Sequence, residues 1–351
     1  MPATTYDFLV LIGRFQPFHR GHLALVEAGL KKAANMILVC GSTRRARSIR
    51  NPWTLDEREA MIRGALSPEH NQRVRILGVA DHRYDENAWL AEVKTKIDQV
   101  TGSHRKVSRE LPKLAFISQT GQKQADYSTY FSDWDEVKLD GVATVSGAAI
   151  RAVMLAESDA ESKVAVLSKH LSPNVAQAVS KFLHTPAWRA IVEEQQYIAQ
   201  YKRAWSKAPY PPTFVTVDAL VVQGGQVLLV ERKGPPGKGL LALPGGFVGQ
   251  QETLFEACLR ELEEETGLEL HASVLKQAVG KPEVFDDPFR SVRGRTITHV
   301  FVFELAESPA LPVVHGRDDA RRAFWLPLED INSEMFFEDH YDIMESLLGL
   351  T

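Results

Sequence analysis

Cysteine is almost missing: in 351 residues only Cys40 and Cys258 occur, each inside an apolar run. Two such residues exclude a disulfide framework and a cysteine-based zinc site, and they read as small buried hydrophobes. Also lacking is any stretch near the roughly 18 apolar residues of a membrane span, and no basic segment precedes an apolar one at the start of the chain. The sequence therefore predicts a cytoplasmic protein without membrane contact. Neither sign of charge dominates: 41 Lys and Arg stand against 45 Asp and Glu, a net charge of −4. Such a balance gives no general attraction for nucleic acid. No internal repeat or low-complexity tract occurs. With 44% apolar and 25% charged residues, disorder is excluded and two domains with separate cores are expected.

The small net charge conceals local extremes. Residues 31–63 hold eight Lys and Arg against three acids, whereas 252–269 hold seven acids against the single Arg260. The first stretch suits phosphate and the second a cation. Around them the pattern changes along the chain. Apolar runs at Phe8–Ile12, Met36–Cys40, Val74–Ala80 and Leu114–Ser118 alternate with helical patterns at Gly21–Lys32, Leu55–Ala65 and Asn87–Val100. This alternation predicts an α/β fold with a doubly wound parallel sheet, whose ligands sit beyond the carboxyl ends of the strands. From about 152 to 207 the pattern is helical, and the prolines of Ala208-Pro-Tyr-Pro-Pro212 close it. The period then shifts to two, with a hairpin from Phe214–Val222 through Gln223-Gly-Gly225 to Val227–Glu231. An α+β domain with an acidic helix at 253–266 follows. The expected division is 1–184, a helical linker at 185–212, and 213–351.

Directly after the first strand stands Gly13-Arg-Phe-Gln-Pro-Phe-His-Arg-Gly-His22. A glycine at a strand end lets backbone approach a phosphate, and a helix starting near Gly21 presents free N–H groups to the same place. His19 and His22, three residues apart, can both donate to that anion, and Arg14 adds a planar fork. The string resembles the signature of the nucleotidyltransferase superfamily, in its nicotinamide mononucleotide (NMN) adenylyltransferase branch. Thr43–Thr54 resembles the basic loop of that branch. The resemblance implies ATP and NMN contacts from Gly13, Phe15, Gly21 and Trp89, the last against the nicotinamide ring. Val145-Ser-Gly-Ala-Ala-Ile-Arg151 resembles the second signature, where Ser146 and Arg151 would meet the β- and γ-phosphates. Ala148 departs from it, standing where relatives carry a hydroxyl. Lys123 is a matching cation in Thr120–Gln124, although Gln124 replaces an acid there. The chemistry implied is in-line transfer of AMP from ATP to NMN, giving NAD and pyrophosphate through positioning and charge stabilisation, with no essential general base.

The second half carries Gly246-Phe-Val-Gly-Gln-Gln-Glu252 and, seven residues on, Arg260-Glu-Leu-Glu-Glu-Glu-Thr-Gly-Leu268. Glu261, Glu264 and Glu265 are spaced i, i+3 and i+4, so their carboxylates share one helical face. Leu254, Cys258 and Leu262 form an apolar stripe beside it. Three crowded carboxylates invite a hard divalent cation with oxygen ligands. The 23 positions match the Nudix box throughout. That resemblance implies a metal site of Glu261, Glu264, Glu265 and Gly246, with Glu264 and Glu265 catalytic, and Mg²⁺ or Mn²⁺ is expected in both domains. The segment Val284–Thr298 resembles that of Nudix hydrolases and sensors of ADP-ribose, with Arg290, Arg293 and Arg295 as its arginines. Phe337-Glu-Asp-His340 offers a further acid.

Order, linker and flanking strings together resemble the bifunctional NMN adenylyltransferase/Nudix hydrolase family across essentially the whole chain. This implies an enzyme of NAD metabolism that also hydrolyses ADP-ribose to AMP and ribose 5-phosphate. Its partners would be ATP, NMN and ADP-ribose, with no nucleic acid and no membrane, and a homo-oligomer stays open. Two other readings stand beside it: an adenylyltransferase for another acceptor fused to a Nudix domain with a different nucleoside diphosphate substrate, or a Nudix domain serving as a ligand sensor or regulator. The regulator predicts a basic helix-turn-helix after the box, and the sequence shows none.

Overall fold

The computed structural model describes residues 5–108, 111–119, 127–139, 145–268, 272–308 and 310–350. Two compact units, 1–192 and 193–351, divide the chain. The first runs β1 (Tyr6–Gly13), α1 (Arg20–Leu30), β2 (Ala33–Cys40), α2 (Leu55–Ala65), α3 (Pro68–Arg73), β3 (Val74–Gly78), α4 (Glu86–Ser108), β4 (Leu114–Gln119), α5 (Tyr127–Tyr130), β5 (Asp135–Leu139), α6 (Gly147–Leu155), α7 (Ala160–Leu167) and α8 (Pro173–Phe182). The next helix, α9 (Pro186–Ala204), occupies most of the expected linker, and the division between units falls inside it.

The five strands pair in parallel in the order β3-β2-β1-β4-β5. Continuous apolar runs arise because both faces of this sheet are covered. Leu9, Leu11, Met36, Leu38 and Cys40 lie in one core with Val26, Met61 and Ile150. Phe8, Val10, Ile37 and Val39 lie in another with Val93 and Ile97 of α4. The order reverses between β1 and β4, which places a crevice at the end of β1. The helical pattern after 152 is interrupted three times, before α7, α8 and α9: Asp159 accepts from Ser162 N–H, Ser172 precedes Pro173 at the first position of α8, and Thr185 Oγ accepts from Trp188 N–H at 3.1 Å before Pro186.

The second unit continues with β6 (Thr213–Gln223), β7 (Gln226–Arg232), β8 (Leu241–Ala242), β9 (Gly245–Phe247), α10 (Leu254–Thr266), α11 (Ala272–Ala278), β10 (Glu283–Phe285), β11 (Arg295–Glu304), β12 (Ala320–Pro327) and α12 (His340–Leu348). Its mixed sheet runs β10-β11-β6-β7-β12, with β8 on β7 and β9 on β6. Helix α10 lays Ala257, Cys258 and Leu262 against Val217, Ala219, Phe301 and Phe303, as its apolar stripe requires. Both cysteines are free and buried, and burial pushes the Cys40 thiol up to about 12. Among the described residues no helix is long and apolar enough to cross a membrane.

Candidate active sites

In the first unit the chain leaves β1 at Gly13 and turns through Phe15, whose φ of +50° is left-handed. Gly13 packs closely: a Cβ there would lie 3.2 Å from the Phe15 ring. Phe15 and Phe18 are buried and form a shelf under His22, with ring centroids 4.9 and 5.5 Å away. Above it His19 and His22 stack at 3.6 Å. They cap α1 reciprocally: each backbone N–H donates to the other residue's Nδ1, both at 3.3 Å. Two accepting Nδ1 atoms leave the proton of each neutral ring on Nε2. Burial, and then the charge of His170, pulls His19 down to about 4, and burial and His19 lower His22 further from its usual range. The pair is thus held neutral at pH 7 with one N–H donor apiece beside the start of α1.

Two arginines of the predicted site differ in burial. Arg14 is exposed, whereas Arg151 is buried at the first turns of α6 and donates to the Gln16 carbonyl at 2.6 Å. Burial first, then the nearby charges of Arg14 and Arg50, bring the Arg151 guanidinium down to about 10. Gly147 makes that approach feasible, since a Cβ would fall 2.9 Å from the Gln16 oxygen. Ser146 caps α6 and accepts from Ala149 N–H at 3.1 Å. Gly21 is buried in α1. Trp89 is half-buried, 6.0 Å from Tyr130 and 6.4 Å from Phe131. Lys123 lies outside the described residues.

Two residues that sequence reasoning missed hold this arrangement. Gln16 is buried and bonds both Trp53 backbone groups, donating to its carbonyl at 2.9 Å and accepting from its N–H at 3.1 Å. Arg58 is fully buried and donates to the carbonyls of Arg14 (2.8 Å), Gly41 (2.7 Å) and Thr54 (3.2 Å). It ties the loops after β1 and β2 to the start of α2. A basic residue in a TLDEREAMI helix gives no local sign of that role, because its partners are backbone oxygens up to 44 positions away.

In the second unit consecutive glycines bring β9 against α10. A Cβ on Gly245 would lie 2.6 Å from an Asp218 carboxylate oxygen, and one on Gly246 would lie 2.5 Å from Glu261 Oε1. The Gly245 N–H donates to Glu265 at 3.0 Å. Helix α10 begins in a capping box between Thr253 and Glu256, and Gly267 ends it at φ +59°. Arg260 bonds Glu252 twice, at 2.9 and 2.7 Å, and reaches Glu261 and Glu264 at 2.9 Å each. The consequence is a divided set of acids. Arg260 holds Glu252 down to about 2, while burial, with the Glu261 charge adding, pushes Glu265 up to about 8. Burial also raises Glu261. Among the described residues no three acidic, histidine or cysteine side chains already converge as a cage, since Glu264 faces Arg260.

The arginines of 290–295 separate in space. Arg290 and Asp339 form a buried bidentate pair at 2.9 and 3.1 Å. Arg295 is the first residue of β11, not part of the preceding loop, and bonds the Asp286 carbonyl. Arg293 lies over the Phe247 ring at 5.1 Å. From the C-terminal string, Glu338 accepts from Val292 N–H at 2.7 Å, and His340 Nδ1 accepts from Leu243 N–H at 3.1 Å.

Comparison with known proteins matches residues 10–97 to the cytidylyltransferase-like family and 212–347 to the NUDIX domain. The chain is 30% identical over 137 residues to a nicotinamide/nicotinic acid mononucleotide adenylyltransferase of Acinetobacter baylyi, spanning 39% of this chain and 69% of that one. It is 35% identical over 134 residues to an ADP-ribose pyrophosphatase of Methanocaldococcus jannaschii, spanning 38% and 72%. A crystal structure of a bifunctional NMN adenylyltransferase/ADP ribose pyrophosphatase from Francisella tularensis, complexed with AMP and a Mn ion, superposes with a TM-score of 0.85 at 34% identity, covering 98% of this chain and 99% of that one.

Proposed function

This chain belongs to the family of bifunctional NMN adenylyltransferase/ADP-ribose pyrophosphatases, and from that premise we propose which residues carry each reaction. The protein is an enzyme of NAD metabolism with both activities. We assign adenylyl transfer to 1–184 and hydrolysis to 213–351. The observation supporting this division is that one chain holds both a neutral imidazole pair at the switch point of a parallel sheet and a helix, α10, that carries Glu261, Glu264 and Glu265 at i, i+3 and i+4.

In the transferase the 5′-phosphate of NMN attacks the α-phosphorus of ATP in line. A P–O bond forms as the bond to the departing pyrophosphate breaks, and the nucleophile, already anionic at pH 7, needs no base. His19 and His22 each donate Nε2–H to triphosphate oxygens, and their neutrality leaves the site's net positive charge to arginine. Arg14 and Arg151 neutralise charge developing on the leaving pyrophosphate. Gly13 and Gly21 allow close backbone approach, Trp89 and Phe15 shape the mononucleotide side, and Ser146 and Lys123 complete the phosphate contacts.

In the hydrolase Glu261, Glu264 and Glu265, with the backbone of Gly246, fit a hard divalent ion. Their donors are all oxygen, Gly246 leaves room above Glu261, and burial, with the neighbouring acids adding, raises the proton affinity of Glu261 and Glu265. Mg²⁺ or Mn²⁺ there supplies Lewis acidity to a diphosphate oxygen and to the attacking water. Arg260 holds Glu252 and touches one oxygen each of Glu261 and Glu264, which leaves the second oxygen of each carboxylate for the ion. Arg293 attracts the substrate diphosphate. We assign the same metals to the ATP phosphates of the transferase.

The test is a product assay. With ATP, Mg²⁺ and NMN the protein should form NAD and pyrophosphate, and with ADP-ribose and metal it should form AMP and ribose 5-phosphate. Chelation should abolish the second reaction. Absence of either set of products refutes the corresponding half of the assignment.

A further inference from the structure

Three arginines near one another in sequence, Arg290, Arg293 and Arg295, end up in different surroundings. Asp339 takes Arg290 and Asp286 takes Arg295, whereas Arg293 lies over Phe247, next to the box glycine, with its Nε donating to Ser291 Oγ at 3.4 Å and no carboxylate in an ion pair with it among the described residues. A diphosphate carries two anionic phosphoryl groups, and one guanidinium is a thin complement for it.

The structure supplies another from the last residue of β7. Successive side chains of a strand face opposite ways, and β7 uses this alternation. Glu231 turns to Arg321 and Arg322 at 2.9 and 2.5 Å. Arg232 turns the other way, with its guanidinium stacked on Phe337 at 4.3 Å and its Nε donating to the Pro236 carbonyl at 2.8 Å. Stacking and that bond fix the plane of the fork. Its terminal nitrogens donate no hydrogen bond among the described residues. The charges that act on it are those of Arg293, Glu338, Glu265 and Asp319. Glu265 belongs to the cation-holding face of α10, and Glu338 is engaged by the Val292 N–H. A half-buried fork with free donors, fixed in direction and adjacent to a second guanidinium, is a site for an oxyanion.

We propose that Arg232 is a substrate-binding residue of the hydrolase, which with Arg293 grips the phosphoryl oxygens of a nucleoside diphosphate derivative. This rests on the hydrolase reading above and adds a residue some 60 positions from the arginine string. Phe337 and the Pro236 carbonyl act as positioning groups for the fork.

The test compares Arg232→Met, Arg232→Lys and the control Arg322→Gln in the full-length chain. For ADP-ribose hydrolysis Arg232→Met should raise KM roughly 10- to 100-fold with kcat within about fivefold, and Arg232→Lys should recover part of the loss, as expected for a charged fork reduced to a point charge. Arg322→Gln should leave KM unchanged. In the wild type, AMP and ribose 5-phosphate with Mg²⁺ should slow phenylglyoxal labelling of Arg232 but not of Arg322, which decides the matter even where a variant fails to fold. Wild-type KM in Arg232→Met, a fall in kcat alone, or equal labelling with and without ligands overturns the proposal. Should the wild type release no AMP from ADP-ribose, the hydrolase reading fails, and the labelling experiment judges Arg232 by itself.

Discussion

The two phosphate-handling sites are built from opposite charges, and burial acts on both in the same direction. In the first unit burial strips His19 of its proton, to about 4, and leaves arginine to supply the positive charge. In the second it drives Glu265 toward its protonated form, up to about 8. The first arrangement is complete in its own donors, since backbone N–H groups already satisfy both Nδ1 atoms. The second gathers Glu252, Glu261 and Glu264 around the single guanidinium of Arg260, while Glu265 has only the Gly245 N–H. Hydrogen-bond donors can be stored in a neutral state, whereas a row of carboxylates is completed only by a cation.

If the first site depends on loops held from behind, the largest effect should come from Arg58→Met. It leaves the carbonyls of Arg14 and Gly41 without the guanidinium, while the Thr54 carbonyl keeps the backbone N–H of residue 58, at a cost of about 1–3 kcal/mol for each buried carbonyl left unsatisfied. Denaturant unfolding of the first unit should shift accordingly and adenylyl transfer should fall, with ADP-ribose hydrolysis intact. Unchanged unfolding would remove Arg58 from the account. The second site depends on close approach instead. Gly246→Ala places a Cβ 2.5 Å from Glu261, and hydrolysis should drop by about 100-fold, in keeping with a displacement on the order of 1 Å. Wild-type hydrolysis by that variant would show that β9 need not lie against α10.

The smallest effect concerns pH. Because folding holds His19 below its ordinary 6.5 at about 4, the unfolded chain binds the proton more readily in that window. Stability from His19 is therefore complete above about 6.5 and is lost as pH falls toward 4, by at most about 3 kcal/mol at about 1.4 kcal/mol per pH unit. The first unit of His19→Gln should lose less stability over this range than the wild type. Equal slopes would mean that the ring is not buried neutral.

How far the sequence reached differs between the sites for a physical reason. Gly13–His22 and 246–268 are legible because each packs its chemistry into one strand-to-helix turn or one helix face, where local spacing sets geometry. Arg58 and Arg232 were not, because their partners are distant carbonyls and a stacked ring. The resemblance at 284–298 named Arg290, Arg293 and Arg295 together, but Asp339 and Asp286 claim two of these arginines across 49 and 9 positions. The fold shows the same division. Apolar runs gave four strands of the first sheet, while β5 escaped, since an edge strand reading Asp-Glu-Val-Lys-Leu alternates charge with only two buried residues.

The central claim is that two independent sites of opposite design share one chain, and a crossed assay of His19→Ala and Glu265→Gln tests it most directly. Each purified variant is given ATP with NMN and, separately, ADP-ribose with Mg²⁺. His19→Ala should lose roughly 100-fold in NAD formation, the scale of charge-assisted bonds to a transition state, while hydrolysing ADP-ribose normally. Glu265→Gln should show the reverse. Loss of both activities in either variant, or full retention of the one assigned to it, would contradict the account.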